Sequence, residues 1–453
     1  MSAPRTGVVD SATAKAKWRL MPLLMFMYIL SYIDRVNIGF AATHMNSDLG
    51  LSATAYGLGA GLFFVGYSLL EVPSNLLLYR LGARVWIARI MLTWGVLAAC
   101  MSLVQNEWMF YAVRLLLGIA EAGFVPGIVL YLTMWFPTKA RGRMVAWFLI
   151  SIPVAVVLGA PLSALLIEHG DGVFGLAGWR FMFLVEGVPA IIMGTATYFV
   201  LPSSPRTVNW LTEDEKTELC GTLDSETDRA LTHGSATVRA CLSDWRIYVV
   251  ALFAFCANIG GYSLSFFLPL IIQSFSRQFG STISLFQVAL ITAIPFSCAA
   301  IALWINGWHS DRTGERTLHI AVPLSIGAAA IATALYLPSP ATVIVAISIA
   351  AAGSYSVIPI AWQLPSRFLA GAAIAAGMGL VGGLANIAGF IAPYMTGWLK
   401  DTTGDYRSGM WVVSGVMVIG AIAALWLRRL PEFGAMPPNE VPEPLVDRPL
   451  PSP

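Results

Sequence analysis

Met21-Pro22-Leu23-Leu24-Met25-Phe26-Met27-Tyr28-Ile29-Leu30-Ser31-Tyr32-Ile33-Asp34-Arg35-Val36-Asn37-Ile38-Gly39-Phe40-Ala41 is the stretch from which the fold is read. It is apolar for about the 20 residues that a helix needs to cross a bilayer core. Inside lipid the backbone must satisfy its own polar groups, so such a run is a helix. Yet it carries Asp34 and Arg35 at its middle. An ionised side chain there costs about 2.5–3.5 kcal/mol on insertion scales. These two must therefore face a bundle interior or a water-filled cavity, and a single span with such a pair predicts neighbouring spans to shelter it.

Working outward, further apolar runs lie at about 55–78, 85–104, 109–134, 144–167, 179–201, 247–273, 284–306, 318–337, 342–365, 369–398 and 409–427. The first, taken as 20–41, begins after Arg19, exceeds signal-peptide length and lacks a small-residue cleavage site, so it is retained. Hydrophobic residues make up 57% of the 453, and charged ones only 11%, against roughly 25% in soluble chains. The expected fold is an all-α membrane protein with twelve transmembrane helices in two pseudo-symmetric six-helix bundles.

The division follows the one long polar segment. Residues 1–19 form an N-terminal segment, 20–201 a first bundle, 202–246 a linker, 247–430 a second bundle, and 431–453 a tail rich in Pro and Glu that is expected to be disordered. Leu201-Pro202-Ser203-Ser204-Pro205 ends a helix, and Thr212 before Glu213-Asp214-Glu215 reads as the N-cap of a short linker helix. A weak parallel repeat relates the halves. Aligning Arg80 with Arg312 also aligns Gly82 with Gly314 and Arg84 with Arg316.

Basic residues fix the expected orientation. Lys15, Lys17, Arg19, Arg80, Arg84, Arg89, Lys139, Arg141, Arg143, Arg312, Arg316 and Arg428 fall on the side of the termini and linker, whereas Arg277, Lys400, Arg407 and Arg180 fall opposite. Both termini and the linker are thus expected to be cytoplasmic. No Asn-x-Ser/Thr sequon occurs, which favours a bacterial inner membrane. A net charge of +2 gives no support for nucleic-acid binding, and the five cysteines have no CxxC spacing, so no metal site is expected. The glycine clusters have no strand or Walker-type lysine beside them, so ATP drive is unsupported. No cofactor is expected.

The charges left inside the spans carry the chemistry. Neighbours on a helix point about 100° apart, so Asp34 and Arg35 cannot simply neutralise each other, and each needs another partner. Arg35 can grip a carboxylate through parallel N–H bonds, and Asp34 can accept a proton. The alternative is an interhelical ion pair that only holds the bundle. Arg114 and Glu121, seven residues apart, lie on one helix face with Gly118 between them, where room is left for a close helix or a substrate. Competition between a proton and an arginine for Glu121 makes a switch; a static Arg114–Glu121 pair is the alternative. Asn386, Tyr262, Ser265, Trp362 and Gln363 are further candidates to line the site, or else packing residues. Asp311, Arg312 and Arg316, with Arg80 and Arg84 in the first half, read as a loop whose charge pairs bias a gate, or as topogenic charge.

The loop Gly307-x-x-x-Asp311-Arg312-x-Gly314 resembles that of the major facilitator superfamily. Other stretches resemble its anion:cation symporter branch: Tyr32-Ile33-Asp34-Arg35-Val36-Asn37, Gly66-Tyr67-x-x-x-Glu71-Val72-Pro73, Arg114-x-x-x-Gly118-x-x-Glu121-Ala122-Gly123-x-x-Pro126-Gly127, Gly178-Trp179-Arg180-x-x-Phe183-x-x-Glu186-Gly187 and Asn386-Ile387-Ala388-Gly389-Phe390. The likeness spans about 18–430 and is greatest to permeases named for tartrate, phthalate and hydroxyphenylacetate. It implies that Asp34 and Glu121 are the protonation sites and that Tyr67 faces the cavity. Departures are Tyr79 where the superfamily pattern has Asp, Gly382-Gly383 where many relatives have Asn-Ser, and Leu158-Gly159-Ala160-Pro161, which lacks the Gly-Pro pair of drug antiporters.

The resulting expectation is a monomeric, proton-driven importer of a small organic anion, with lipid and H⁺ as its other partners. Efflux or exchange of a drug or metabolite is the rival within transport. A non-transporting membrane receptor is the rival class. An enzyme is not expected, since no nucleophile–His–acid set appears.

Overall fold

The structure is a computed structural model that describes residues 6–232, 242–278, 283–367, 369 and 372–430. The expected tail at 431–453 and part of the linker lie outside the described residues. No strand occurs among the described residues. Eleven described helices are long and apolar enough to cross a membrane, and Leu318–Ala334 is a shorter apolar helix where a further span was expected. The chain is an all-α, multi-pass membrane protein.

In the first half the helices are α1 (Thr6–Leu49), α2 (Ala53–Leu81), α3 (Ala83–Cys100), α4 (Glu107–Glu121), α5 (Phe124–Thr133), α6 (Thr138–Leu149), α7 (Ser151–Gly170) and α8 (Gly178–Val200). The linker contributes α9 (Glu213–Thr232). Then come α10 (Trp245–Gln278), α11 (Leu285–Thr313), α12 (Leu318–Ala334), α13 (Pro340–Tyr355), α14 (Ile358–Gln363), α15 (Ala372–Asn386), α16 (Ala388–Thr403) and α17 (Arg407–Leu427).

Several expected spans are broken, and proline explains three of the breaks. Pro126 has no N–H to offer the carbonyl of Ala122 four residues back, so the run 109–134 divides into α4 and α5 directly after Glu121. Gly123 turns the chain there with φ of 83°. Pro153 stands in the same relation to Leu149, where α6 ends, and Pro359 to Tyr355, where α13 ends. The run 369–398 divides at Ile387.

The repeat is visible in the backbone. Gly82 and Gly314, aligned by sequence, both take positive φ, of 86° and 67°. Each follows a long helix, α2 or α11, at a turn that an L side chain rarely adopts.

The chain forms two compact units. One holds the described residues of Met1–Ser235, Ser265–Ala293 and Gly389–Asp405. The other holds those of Ala236–Leu264, Ile294–Ala388 and Tyr406–Pro453. The first unit therefore includes pieces of α10, α11 and α16, and hydrogen bonds account for their place in it. Asp401 of α16 accepts from the Ala53 and Thr54 amides at 3.2 and 2.7 Å and from the Thr54 hydroxyl at 2.6 Å, capping α2. Tyr56 donates to the Phe266 carbonyl at 3.0 Å. Glu168 accepts from the Phe286 amide at 3.1 Å.

Linker helix α9 is bound to the first unit at two points. Thr212 and Glu215 form a capping box, with the Thr212 amide donating to Glu215 at 2.9 Å and the Glu215 amide to the Thr212 hydroxyl at 3.3 Å. Glu215 also accepts from Ser11 at 2.8 Å and Lys15 at 2.9 Å, both on α1. Burial opposes ionisation of Glu215, but the bonds from Lys15, the Thr212 amide and Ser11 together hold its carboxyl at about 2. Further along, Glu226 caps α6 by accepting from the Thr138 amide at 3.0 Å and its hydroxyl at 2.7 Å.

Candidate functional site

The site is built from the middle of α1 outward, within the first unit. Ser31 and Arg35 are one turn apart on α1, so they share a face. Both reach Glu121 at the end of α4: the Ser31 hydroxyl donates to Oε1 at 2.8 Å, and Arg35 Nη2 lies 2.5 Å from the same oxygen. The Arg35 guanidinium stands among rings, with centroids at 5.2 Å for Phe63, 5.4 Å for Tyr67, 5.8 Å for Tyr32 and 6.0 Å for Phe64. An aromatic face attracts a cation without competing for its N–H bonds. The arginine is thus held by rings as well as by Glu121.

Asp34 points elsewhere. Its same-face neighbour Asn37 approaches Oδ1 at 3.5 Å, and buried Oδ2 has no hydrogen-bond partner among the described residues. Asn37 donates more closely, at 2.7 Å, to Glu186 on α8. The other Glu186 oxygen accepts from Ser163 of α7 at 2.7 Å. Glu186 is buried and has no ion pair among the described residues. No role for Glu186 follows from the Gly178-to-Gly187 stretch that contains it. The signal available was an acid inside the apolar run 179–201, the same signal that marked Asp34.

Arg114 is placed differently from its reading. It is 1% exposed, and it donates to the carbonyls of Gly59 at 3.4 Å and Ala60 at 3.3 Å on α2. Its guanidinium stands 5.0 Å from the Phe63 ring, so one ring serves both arginines. Glu121 pairs with Arg35 and not with Arg114, which removes the static Arg114–Glu121 pair. Gly118 makes room for a helix: a Cβ there would stand 1.9 Å from the Phe63 carbonyl oxygen of α2. Without a hydrophobic drive between helices in lipid, such close backbone approach is what joins α2 to α4.

The spans of the first unit thus bury three acids, Asp34, Glu121 and Glu186, with two arginines. The acids outnumber the arginines, Arg35 and Arg114, by one.

Tyr262, Trp362, Asn386 and the loop after α11 belong to the second unit, whereas Ser265 belongs to the first. Tyr262 is half-buried on α10. Trp362 on α14 lies against Gly382, where a Cβ would meet the indole at 3.2 Å, so the glycine accommodates the ring. Asn386 is half-buried at the last position of α15. In the loop after α11, Asp311 pairs with Arg316 at 2.5 Å, and Arg312 stands 5.6 Å from the Trp308 ring. The Asp311–Arg316 pair is local, whereas Glu315 of the same loop also lies 3.9 Å from Arg428 Nε, after α17. Beside it, buried Glu315 accepts from Thr317 at 2.6 Å and from the Leu318 amide at 2.8 Å, capping α12. In the first half Arg80 is exposed, and Arg84 Nε donates to the Tyr198 carbonyl. Among the described residues no group of acids, histidines and cysteines is placed to hold a metal.

Comparison with known proteins bears on these features. The family model described as Major Facilitator Superfamily matches residues 24–393, and again 250–451. A protein of Agrobacterium vitis named for tartrate transport is 44% identical over 423 residues, 93% of this chain and 95% of the relative. A quinolone resistance transporter of Acinetobacter baumannii is 38% identical, covering 89% of this chain and 92% of its own. Among solved structures, a bacterial homologue of the human lysosomal transporter Spinster matches with a TM-score of 0.73 at 18% identity, covering 90% of this chain and 96% of that one.

Proposed function

From the premise that this chain belongs to the major facilitator superfamily, and is a membrane transporter and not an enzyme, we propose that it is a proton-coupled importer of a small organic anion. The observation that carries the reading is the contact of Arg35 with Glu121 inside the ring of Tyr32, Phe63, Phe64 and Tyr67. A carboxylate that enters must compete with Glu121 for the arginine fork. Once displaced, Glu121 is a buried carboxylate without its cation, a state that a proton relieves. Anion and proton then favour each other's binding by the same coupling energy.

Charge arithmetic supports the direction. Three buried acids and two buried arginines sum to one excess negative charge when all are ionised. One proton neutralises the set; further protons make it positive and receptive to an anion. In this reading Asp34 and Glu121 carry the coupled protons, with Glu186 joined to Asp34 through Asn37. Arg35 binds the substrate, with Tyr67 beside it. Arg114 contributes positive potential from its seat on α2. Asn386, Tyr262 and Trp362 are the candidates of the second unit. Dicarboxylates, hydroxy acids and aromatic carboxylates fit this chemistry, and the tartrate name of a relative agrees with it. The reading places the protein in a bacterial inner membrane as a monomer, with termini and linker cytoplasmic.

The test is uptake into proteoliposomes of a panel that includes tartrate and phthalate, with and without an inward proton gradient. Acceleration by the gradient is expected. Uptake indifferent to its collapse removes the coupling. Efflux is the second reading, favoured by the quinolone resistance relative. Quinolone movement against its gradient, with no organic acid taken up, would select it.

A further inference from the structure

A cleft lies in the first unit beside the start of the linker, and Arg35 does not line it. It is an open cleft of about 600 Å³ between residues 19–23 within α1, the start of α3, the end of α8 and the start of the linker. Two of its lining residues are basic, Arg19 and Arg84, and none is acidic.

Both arginines are held by aromatic faces and keep donors to spare. Arg19 stands 5.3 Å from the Trp210 ring and makes no hydrogen bond or ion pair among the described residues. Arg84 stands 5.2 Å from the Tyr198 ring. Its Nε donates to the Tyr198 carbonyl, and its two terminal nitrogens bond no described residue. Stacking fixes the plane of a guanidinium and leaves its N–H edge available, which lowers the ordering cost of binding. Ser203 and Asn209 add neutral donors to the same cleft. One edge is apolar and outward: Phe199 is 71% and Val200 63% exposed at the end of span α8.

We propose that this cleft binds a phosphate group, with the Arg19 and Arg84 forks on its oxygens and Ser203 and Asn209 completing the contacts. Planar guanidinium forks match phosphate oxygens in pairs. The outward Phe199 and Val200 suit the acyl chains of an anionic lipid whose headgroup presents that phosphate, as basic pockets at span ends do. Free inorganic phosphate offers the same oxygens without the chains.

The experiment uses the full chain purified in mild detergent. Native mass spectrometry counts retained phosphatidylglycerol and, separately, phosphatidylcholine; thermal unfolding is followed with added inorganic phosphate. One phosphatidylglycerol should be retained in preference to phosphatidylcholine. Retention should fall at least about tenfold in Arg19→Gln with Arg84→Gln, the loss of about 1.4 kcal/mol or more. Single Arg19→Gln, which disturbs only the contact with Trp210, should lose part of it, so the result does not depend on Arg84's structural bond. A thermal shift with inorganic phosphate that the double variant lacks identifies free phosphate as the occupant and also supports the site. Equal retention of both lipids, retention unchanged in the double variant, or binding of neither probe overturns the proposal.

Discussion

The guanidinium of Arg35 and the carboxylate of Glu121 meet at 2.5 Å across 86 positions of chain. Both are buried, at 8% and 1% exposure. Such a pair is stable as a whole and costly as a half, because removing one partner strands the other's charge; the penalty is typically about 3–5 kcal/mol. That asymmetry generates the first expected outcomes.

Arg35→Ala should lower the stability of the detergent-purified protein by that order, about 3–5 kcal/mol. Arg35→Ala combined with Glu121→Gln should recover most of the loss. Thermal unfolding of the four proteins closes the cycle, and simple additivity of the two changes would show that the pair is uncoupled. Arg35→Lys should keep the charge but lose the fork, so substrate binding weakens while stability largely holds.

Glu121→Gln should retain substrate counterflow and lose accumulation against a gradient. Preloaded vesicles measure the first and an imposed proton gradient the second. Normal accumulation by this variant would reject Glu121 as the coupling acid.

Glu186→Gln separates two roles for the acid that Asn37 joins to Asp34. A proton-carrying Glu186 predicts a changed pH profile of transport, with less change in substrate KM, because the residue lies on α8 away from Arg35. A merely structural role predicts lower thermal stability with the pH profile in place.

Glu215 supplies a pH dependence outside the membrane. Its folded value of about 2 lies below the ordinary value of about 4.5. A depressed acid contributes stability that is present in full above its unfolded value and is lost as pH falls through the folded one. The docking of α9 should therefore weaken from about pH 4.5 towards 2. Hydrogen exchange across 213–226 should rise in that window. Glu215→Gln should show raised exchange already at neutral pH.

Gly118→Ala puts a methyl 1.9 Å from the Phe63 carbonyl oxygen, which is backbone and cannot swing aside. Separation of α2 from α4 should cost about 1–3 kcal/mol and shift the Phe63 ring that faces both arginines. Thermal unfolding reads the first effect. Weakened substrate binding with Arg35 intact reads the second.

How far these features can be read without coordinates depends on their range. The spans are local, so the apolar runs declare them, and the charges of α1 declare a bundle. Thr212 is local too, and its capping box is found where the sequence places it. The break after Glu121 is legible once Pro126 is counted back to Ala122. Arg114 shows the limit. A seven-residue spacing tells which face it shares with Glu121 but not what stands opposite, and the carbonyls of Gly59 and Ala60 stand there. Glu186 is hidden for the same reason: its partner Asn37 is 149 positions away.

Asp401 gives α2 a cap borrowed from a helix some 350 positions later. Caps of this kind are worth about 0.5–2 kcal/mol, and a free-energy difference of 1.4 kcal/mol is a tenfold population ratio. If the proposed alternation opens this cap, the cap serves as a latch. Its strength then sets the fraction of time the unlatched form exists, so a stronger cap would slow the cycle while making the protein harder to unfold. Selection on rate and selection on durability would pull that one carboxylate in opposite directions.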